Sequence, residues 1–201
     1  MTWPFGDLRT FGYRVILADP PWRFKNYSAK GEGKNPVAHY HCMPLDEIAR
    51  LPVAQLASGD GAACVMWATA PMLSEALDLL RAWGFRYKTG GAWSKLSKTG
   101  EKIAFGTGYI YRSAAEFFLL GQFGDVAPMS RSVRNLIGDD LAGLAEWAIA
   151  APVREHSRKP PQMHEALEQL FDGPYCELFA REWRPGWDCW GDEIGKFGEG
   201  A

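Results

Sequence analysis

Arg14-Val15-Ile16-Leu17-Ala18-Asp19-Pro20-Pro21-Trp22 is the stretch that decides the fold. Its apolar run opens on two β-branched residues and stops at an acid and two prolines. A strand that is apolar on both faces belongs in a sheet covered on both sides. The same texture returns at Gly61 to Thr69, at residues 85–93, at Ala115 to Gln122 and at residues 175–180. Helical spacing fills several of the gaps. Leu45, Ile48 and Leu51 mark a short helix. Leu73, Ala76, Leu77 and Leu80 follow at i, i+3, i+4, i+7, with Pro71 in the first turn and Gly84 at the end. Met163, Ala166, Leu167, Leu170 and Phe171 repeat the pattern behind Pro160 and Pro161. Residues 139–150 read as one more helix, with Leu141, Leu144, Ala145 and Ala148 on one side. Strands alternating with helices predict an α/β fold, a mostly parallel sheet with helices on both faces.

In such sheets ligands bind beyond the carboxyl ends of the strands. Asp19-Pro20-Pro21-Trp22 lies at one such end and Arg181-Glu182-Trp183-Arg184 at another. Polar segments at about 23–43, 94–112 and 123–138 are predicted to be long loops, a length that is usually functional.

The chain has 201 residues, 47% of them hydrophobic and 23% charged. That balance excludes a disordered chain and a fibre. No apolar run approaches the roughly 20 residues that span a bilayer. Met1 to Asp7 lacks a basic-then-apolar leader, so a cytoplasmic location and no membrane partner are expected. The net charge of −2 excludes a protein that holds nucleic acid by overall charge alone. Any polyanion must meet a local patch. Lys25, Lys30, Lys34, Lys95, Lys98, Lys102, Arg112, Arg131 and Arg134 lie in or beside the predicted loops and supply one. Cys42, Cys64, Cys176 and Cys189 form no C-x-x-C pair. His39, His41, His156 and His164 form no H-E-x-x-H, so no metal is expected. Nine tryptophans fit either core packing or stacking on flat rings.

Asp19 offers a carboxylate at a strand end. The two prolines lock φ and have no N–H, so the carbonyls there hold a fixed direction. Trp22 adds a flat face. Two acceptors and a stacking platform suit an exocyclic amine on a planar base. The amine of adenine is a poor nucleophile, because its lone pair is delocalised into the ring. Acceptors on its N–H groups favour the charge that develops as it attacks.

Ala18-Asp19-Pro20-Pro21-Trp22 resembles the signature of the MT-A70 family of amino-methyltransferases, which use S-adenosylmethionine (SAM). Further segments agree in order. They are His39-Tyr40-His41-Cys42-Met43, Trp93-Ser94-Lys95 and Arg154 to Pro160 (the family's H-S-x-K-P). Glu177-Leu178-Phe179-Ala180-Arg181 and Arg184-Pro185-Gly186-Trp187-Asp188 complete the set. The resemblance implies one SAM-dependent, Rossmann-like methyltransferase domain over residues 1–201, with the catalytic motif ahead of the cofactor segment. It makes Asp19, Pro20, Pro21 and Trp22 the catalytic group. It assigns SAM contacts to Asp7, Leu8, Asp19, Lys159, Phe179, Ala180, Arg181, Arg184, Asp192 and Glu193. Substrate contacts fall to Trp22, Tyr40, Lys95, Arg112 and Arg131. Asp192 stands where relatives often carry Asn or Gln.

The implied reaction is methyl transfer from SAM to N6 of adenine in nucleic acid. A compact chain without an appended RNA-binding domain resembles the stand-alone prokaryotic and phage members, so DNA is favoured over RNA. Residues 138–150 form an insertion relative to bacterial relatives, and a homo-oligomer is compatible with it. The alternative from another class is a catalytically inactive, methyltransferase-like subunit that binds nucleic acid for a partner chain. The intact Asp-Pro-Pro-Trp group favours the enzyme.

Overall fold

The chain's central strand, β1 (Val15–Ala18), is fully buried and has a parallel neighbour on each side. The structure is a computed structural model that describes residues 2–22, 43–97, 102–106, 110–137, 151–152 and 158–195. Along the chain come α1 (Leu45–Arg50), β2 (Ala62–Ala68), α2 (Leu73–Ala82), β3 (Arg86–Leu96) and β4 (Ala115–Phe123). The short β5 (Leu136–Ile137) and β6 (Ala151–Pro152) follow, then α3 (Gln162–Leu170), β7 (Tyr175–Leu178) and β8 (Trp187–Trp190). The sheet order is β5-β3-β4-β2-β1-β7-β8, with β6 also on β3. β4 alone runs against the others. The expected α/β architecture is therefore present.

The strand period divides the core into two layers. Ile16, Ala18, Cys64, Met66, Cys176 and Leu178 face one side, where Ile48 of α1 and Ala76, Leu79 and Leu80 of α2 cover them. Val15, Leu17, Ala63, Val65 and Trp67 face the other, covered by Met163 and Leu167 of α3. Helices thus lie on both faces. Both helical stripes follow from leucine, alanine and methionine at i, i+3, i+4 spacing. Pro71 sits in a single 3-10 turn (Ala70–Met72) ahead of α2, and Gly84, at φ +86°, lets the chain leave its far end. Cys64 and Cys176 are buried as small apolar residues, and desolvation pushes both thiols up.

The strands depart from the sequence reading at several points. β3 continues to Leu96, three residues into the predicted 94–112 loop, because Ser94 pairs with Ala115 and the Lys95 N–H donates to the Ala114 carbonyl. β4 is antiparallel, and among the described residues between it and β3 no helix carries the chain back across the sheet. β7 stops at Leu178, since Phe179 adopts φ +61°. β8 was read only as a motif, yet it forms an edge strand parallel to β7. The two residues of β5 fall within the predicted 123–138 loop. The predicted helix at 139–150 and most of the 23–43 segment lie outside the described residues.

Trp67, at 1% exposure, is the most deeply buried tryptophan of the second layer. Its ring meets Trp93 and Phe118 edge-on at 6.2 and 5.7 Å. Trp67→Ala is expected to cost about 3–5 kcal/mol, read as a lowered midpoint in urea unfolding.

Candidate active site

Asp19 follows β1 directly, and its N–H donates to the Leu178 carbonyl of β7 at 3.3 Å. The central strand and its neighbour therefore fix the carboxylate at the carboxyl edge of the sheet. Beyond it the Trp22 N–H donates to the Pro20 carbonyl at 2.8 Å, which closes a tight turn. That bond occupies one of the acceptor positions expected to face a substrate amine. The Trp22 ring is 4% exposed, and its indole N–H donates to the Trp67 carbonyl at 3.1 Å. The ring anchors the turn in the core. The open stacking face expected of Trp22 is not presented in this conformation, because the indole is a core group whose polar atom is already bonded.

A row of charges crosses the sheet's carboxyl edge. The Lys159 ammonium donates to both oxygens of Asp19, at 2.8 Å each. It also lies 3.4 Å from Glu116, which in turn is 2.5 Å from Lys95. All four side chains are largely buried, between 15% and 23% exposed. Lys159 lies 5.6 Å from the Trp67 ring centroid and Lys95 5.6 Å from that of Trp93. Opposite charges thus alternate along the row, each side chain within ion-pair distance of one of the other sign. Burial pushes the Glu116 carboxyl up, but Lys159 and Lys95 outweigh it and hold the group down at about 2. Glu116 went unnoticed in the sequence. It opens a strand with no motif around it, and only β4's antiparallel course brings it to the carboxyl edge.

Asp19 and Pro21 also line an open cavity. Phe179 and Trp190 give it aromatic walls, and Arg181, Asp192 and Glu193 give it polar groups. Met43, Ala180 and Gly191 complete the lining. The Arg181 guanidinium lies 3.3 Å from Glu193. Two local features shape this space. Phe179 turns the chain at φ +61°, unusual for a large side chain and the sort of strain that collects at functional sites. Gly191 allows two backbones to meet. A Cβ there would stand 2.4 Å from the Ala180 carbonyl oxygen and 2.7 Å from the Ala180 nitrogen. Gly191→Ala is therefore expected to push the 190–193 segment off β7 and lower SAM affinity at least tenfold, measured by titration calorimetry.

The structure brings Asp19, Pro21, Phe179, Ala180, Arg181, Asp192 and Glu193 to one cavity and leaves other candidates out of its lining. Asp7 is exposed, and Leu8 is buried with its carbonyl accepting the Trp3 indole N–H at 2.8 Å. Arg184 turns toward Glu168 of α3, 3.7 Å away. Lys159 faces Asp19 rather than lining the cavity. Arg112 and Arg131 are exposed. Tyr40 lies outside the described residues. Among the described residues no cluster of His, Cys, Asp and Glu is arranged to hold a metal, and no helix is long and apolar enough to cross a membrane.

The cavity matches the chemistry of SAM. A flat ring can lie against Phe179 or Trp190, and a diol can donate to Asp192 or Glu193. A carboxylate can meet Arg181, and an ammonium can donate to Asp19.

Comparison with known proteins identifies the family. The MT-A70 family profile matches residues 13–193. The Type II methyltransferase M.MunI of a Mycoplasma species is 28% identical over 94% of this chain and 81% of its own length. The human N(6)-adenine-specific methyltransferase METTL4 is 29% identical over 92% of this chain but 38% of its own length. The N6-methyladenosine RNA methyltransferase MTA1 of Cryphonectria parasitica is 27% identical over 92% of this chain and 52% of its own.

Proposed function

Since the chain belongs to the MT-A70 family, we propose that it methylates N6 of adenine in nucleic acid, with SAM as the methyl donor and DNA as the preferred substrate. The observation that carries the reading is Asp19, a largely buried carboxylate that directly follows β1, with the Lys159 ammonium on its two oxygens and a cavity walled by Phe179 and Trp190 beside it. SAM supplies an electrophilic methyl group on a sulfonium. In this reading Arg181, Asp192 and Glu193 bind its polar ends. Asp19 accepts a hydrogen bond from the target amine and orients its lone pair toward the methyl group. A nitrogen–carbon bond forms, the carbon–sulfur bond breaks, and N6 sheds a proton. Lys159 holds the Asp19 carboxylate in place through both oxygens while this happens. The DNA preference is supported by the match to a Type II methyltransferase, which covers 81% of that protein against 52% of the RNA methyltransferase MTA1. The proposal places the enzyme in the cytoplasm and includes Tyr40, Lys95, Arg112 and Arg131 on the substrate side.

The test is transfer of labelled methyl from SAM to single- and double-stranded DNA and RNA, with Asp19→Ala beside the wild type. Label at N6 of adenine, strongest on DNA and lost in the variant, is expected. Label on RNA alone would overturn the DNA preference. No transfer and no SAM binding would overturn the enzyme and leave the non-catalytic subunit.

A further inference from the structure

We propose that Phe105, Ile110 and Tyr111, which lie between β3 and β4, form a wedge that enters a DNA duplex beside the target base. The proposal rests on the nucleic-acid reading above. The connection grows out of the strand pair that carries Lys95 and Glu116, so it is rooted in the charged row. The Ala104 N–H donates to the Lys95 carbonyl and the Ser97 N–H to the Lys102 carbonyl, both at 2.7 Å. Farther out the Gly106 N–H donates to the Ser113 carbonyl at 2.8 Å. Along this ribbon Ile110 is 91% exposed, Tyr111 87% and Phe105 67%. Core packing accounts for none of these three large apolar side chains.

Their surroundings point to a polyanion with flat rings inside it. Lys102 and Arg112 are exposed and make no ion pair among the described residues. The Arg112 guanidinium lies 5.9 Å from the Phe105 ring centroid. Apolar tips beside cations are the pattern of proteins that part a base step while gripping phosphates. A second copy of this chain fits less well. A two-fold contact between two such ribbons would set Lys102 and Arg112 against their own images. The reaction supplies the need, because a base within a duplex must leave the stack to reach Asp19. The apolar tip fills the space the base vacates.

The test compares methyl transfer to duplex genomic DNA from a methylation-free source with transfer to the same DNA after heat denaturation. The double variant Ile110→Ser/Tyr111→Ser should lose at least tenfold on the duplex. It should stay within about twofold of wild type on the denatured strands, with SAM binding unchanged. Equal loss on both substrates, or no loss on either, would overturn the wedge. So would a wild type that acts on denatured DNA alone. A wild-type dimer that becomes a monomer in the variant, by sedimentation, would make the ribbon a contact between copies and overturn it too. A wild type that methylates neither DNA would instead count against the DNA reading itself.

Discussion

Asp19→Asn is expected to lower methyl transfer by about 10²–10³-fold while leaving the protein folded. Asparagine keeps the shape and one acceptor oxygen, but turns a donor group toward the amine and removes the charge. The fold survives because Lys159 retains Glu116 at 3.4 Å and the Asp19 N–H still donates to Leu178. Initial rates with labelled SAM check the expectation, with circular dichroism and SAM titration as controls. A folded variant that binds SAM and works within fivefold of wild type would remove Asp19 from the chemistry. Since Asp19 also lines the cavity, a moderate loss of SAM affinity accompanies the rate loss. A loss of affinity without a loss in the rate at saturation would make Asp19 a cofactor ligand only.

Glu116→Gln has the larger effect on stability. It leaves Lys95 and Lys159 largely buried with one carboxylate between them, where the wild type has two. Breaking a buried pair from one side costs about 3–5 kcal/mol. The pH dependence has a definite sign. The Glu116 carboxyl is held down from 4.5 to about 2. Its contribution is complete above about pH 4.5 and is lost as the pH falls toward 2. The stability gap between wild type and variant, read by urea unfolding, should therefore be widest near neutrality and close across that acid range. A gap that does not narrow would show that Glu116 is not ionised in the folded state. Lys95→Met/Glu116→Gln removes one charge of each sign and should recover much of the stability. If Glu116 positions Lys159 over Asp19, the double variant stays slow although it is stable. Full recovery of the rate would reduce Glu116 to a neutraliser of Lys95.

Local patterns made most of the fold legible. The apolar run of β1, the helical stripes of α2 and α3, and the prolines ahead of α3 are short-range signals that act the same way in any chain. The resemblance carried by Asp19-Pro20-Pro21-Trp22 and the segments after it added the family. Pattern reading failed where pairing overruled local chemistry. Ser94 to Leu96 look like loop residues and become strand because β4 lies beside them. Trp187 to Trp190 carry no clean alternation and become a strand because β7 offers an open edge.

By itself the sequence determined the fold class, the layers of the core, the turn after β1 and the membership of a methyltransferase family. Only the tertiary structure decided that Lys159 reaches Asp19, that Glu116 joins them, that Trp22 is a buried anchor and that Arg184 turns to α3. Asp19 and Lys159 stand 140 residues apart in the chain. Nothing in either neighbourhood encodes the partner. Side-chain periods and turn propensities are set within a few residues. A buried ion pair depends on strand order, strand direction and the exclusion of water, which exist only once the sheet has formed.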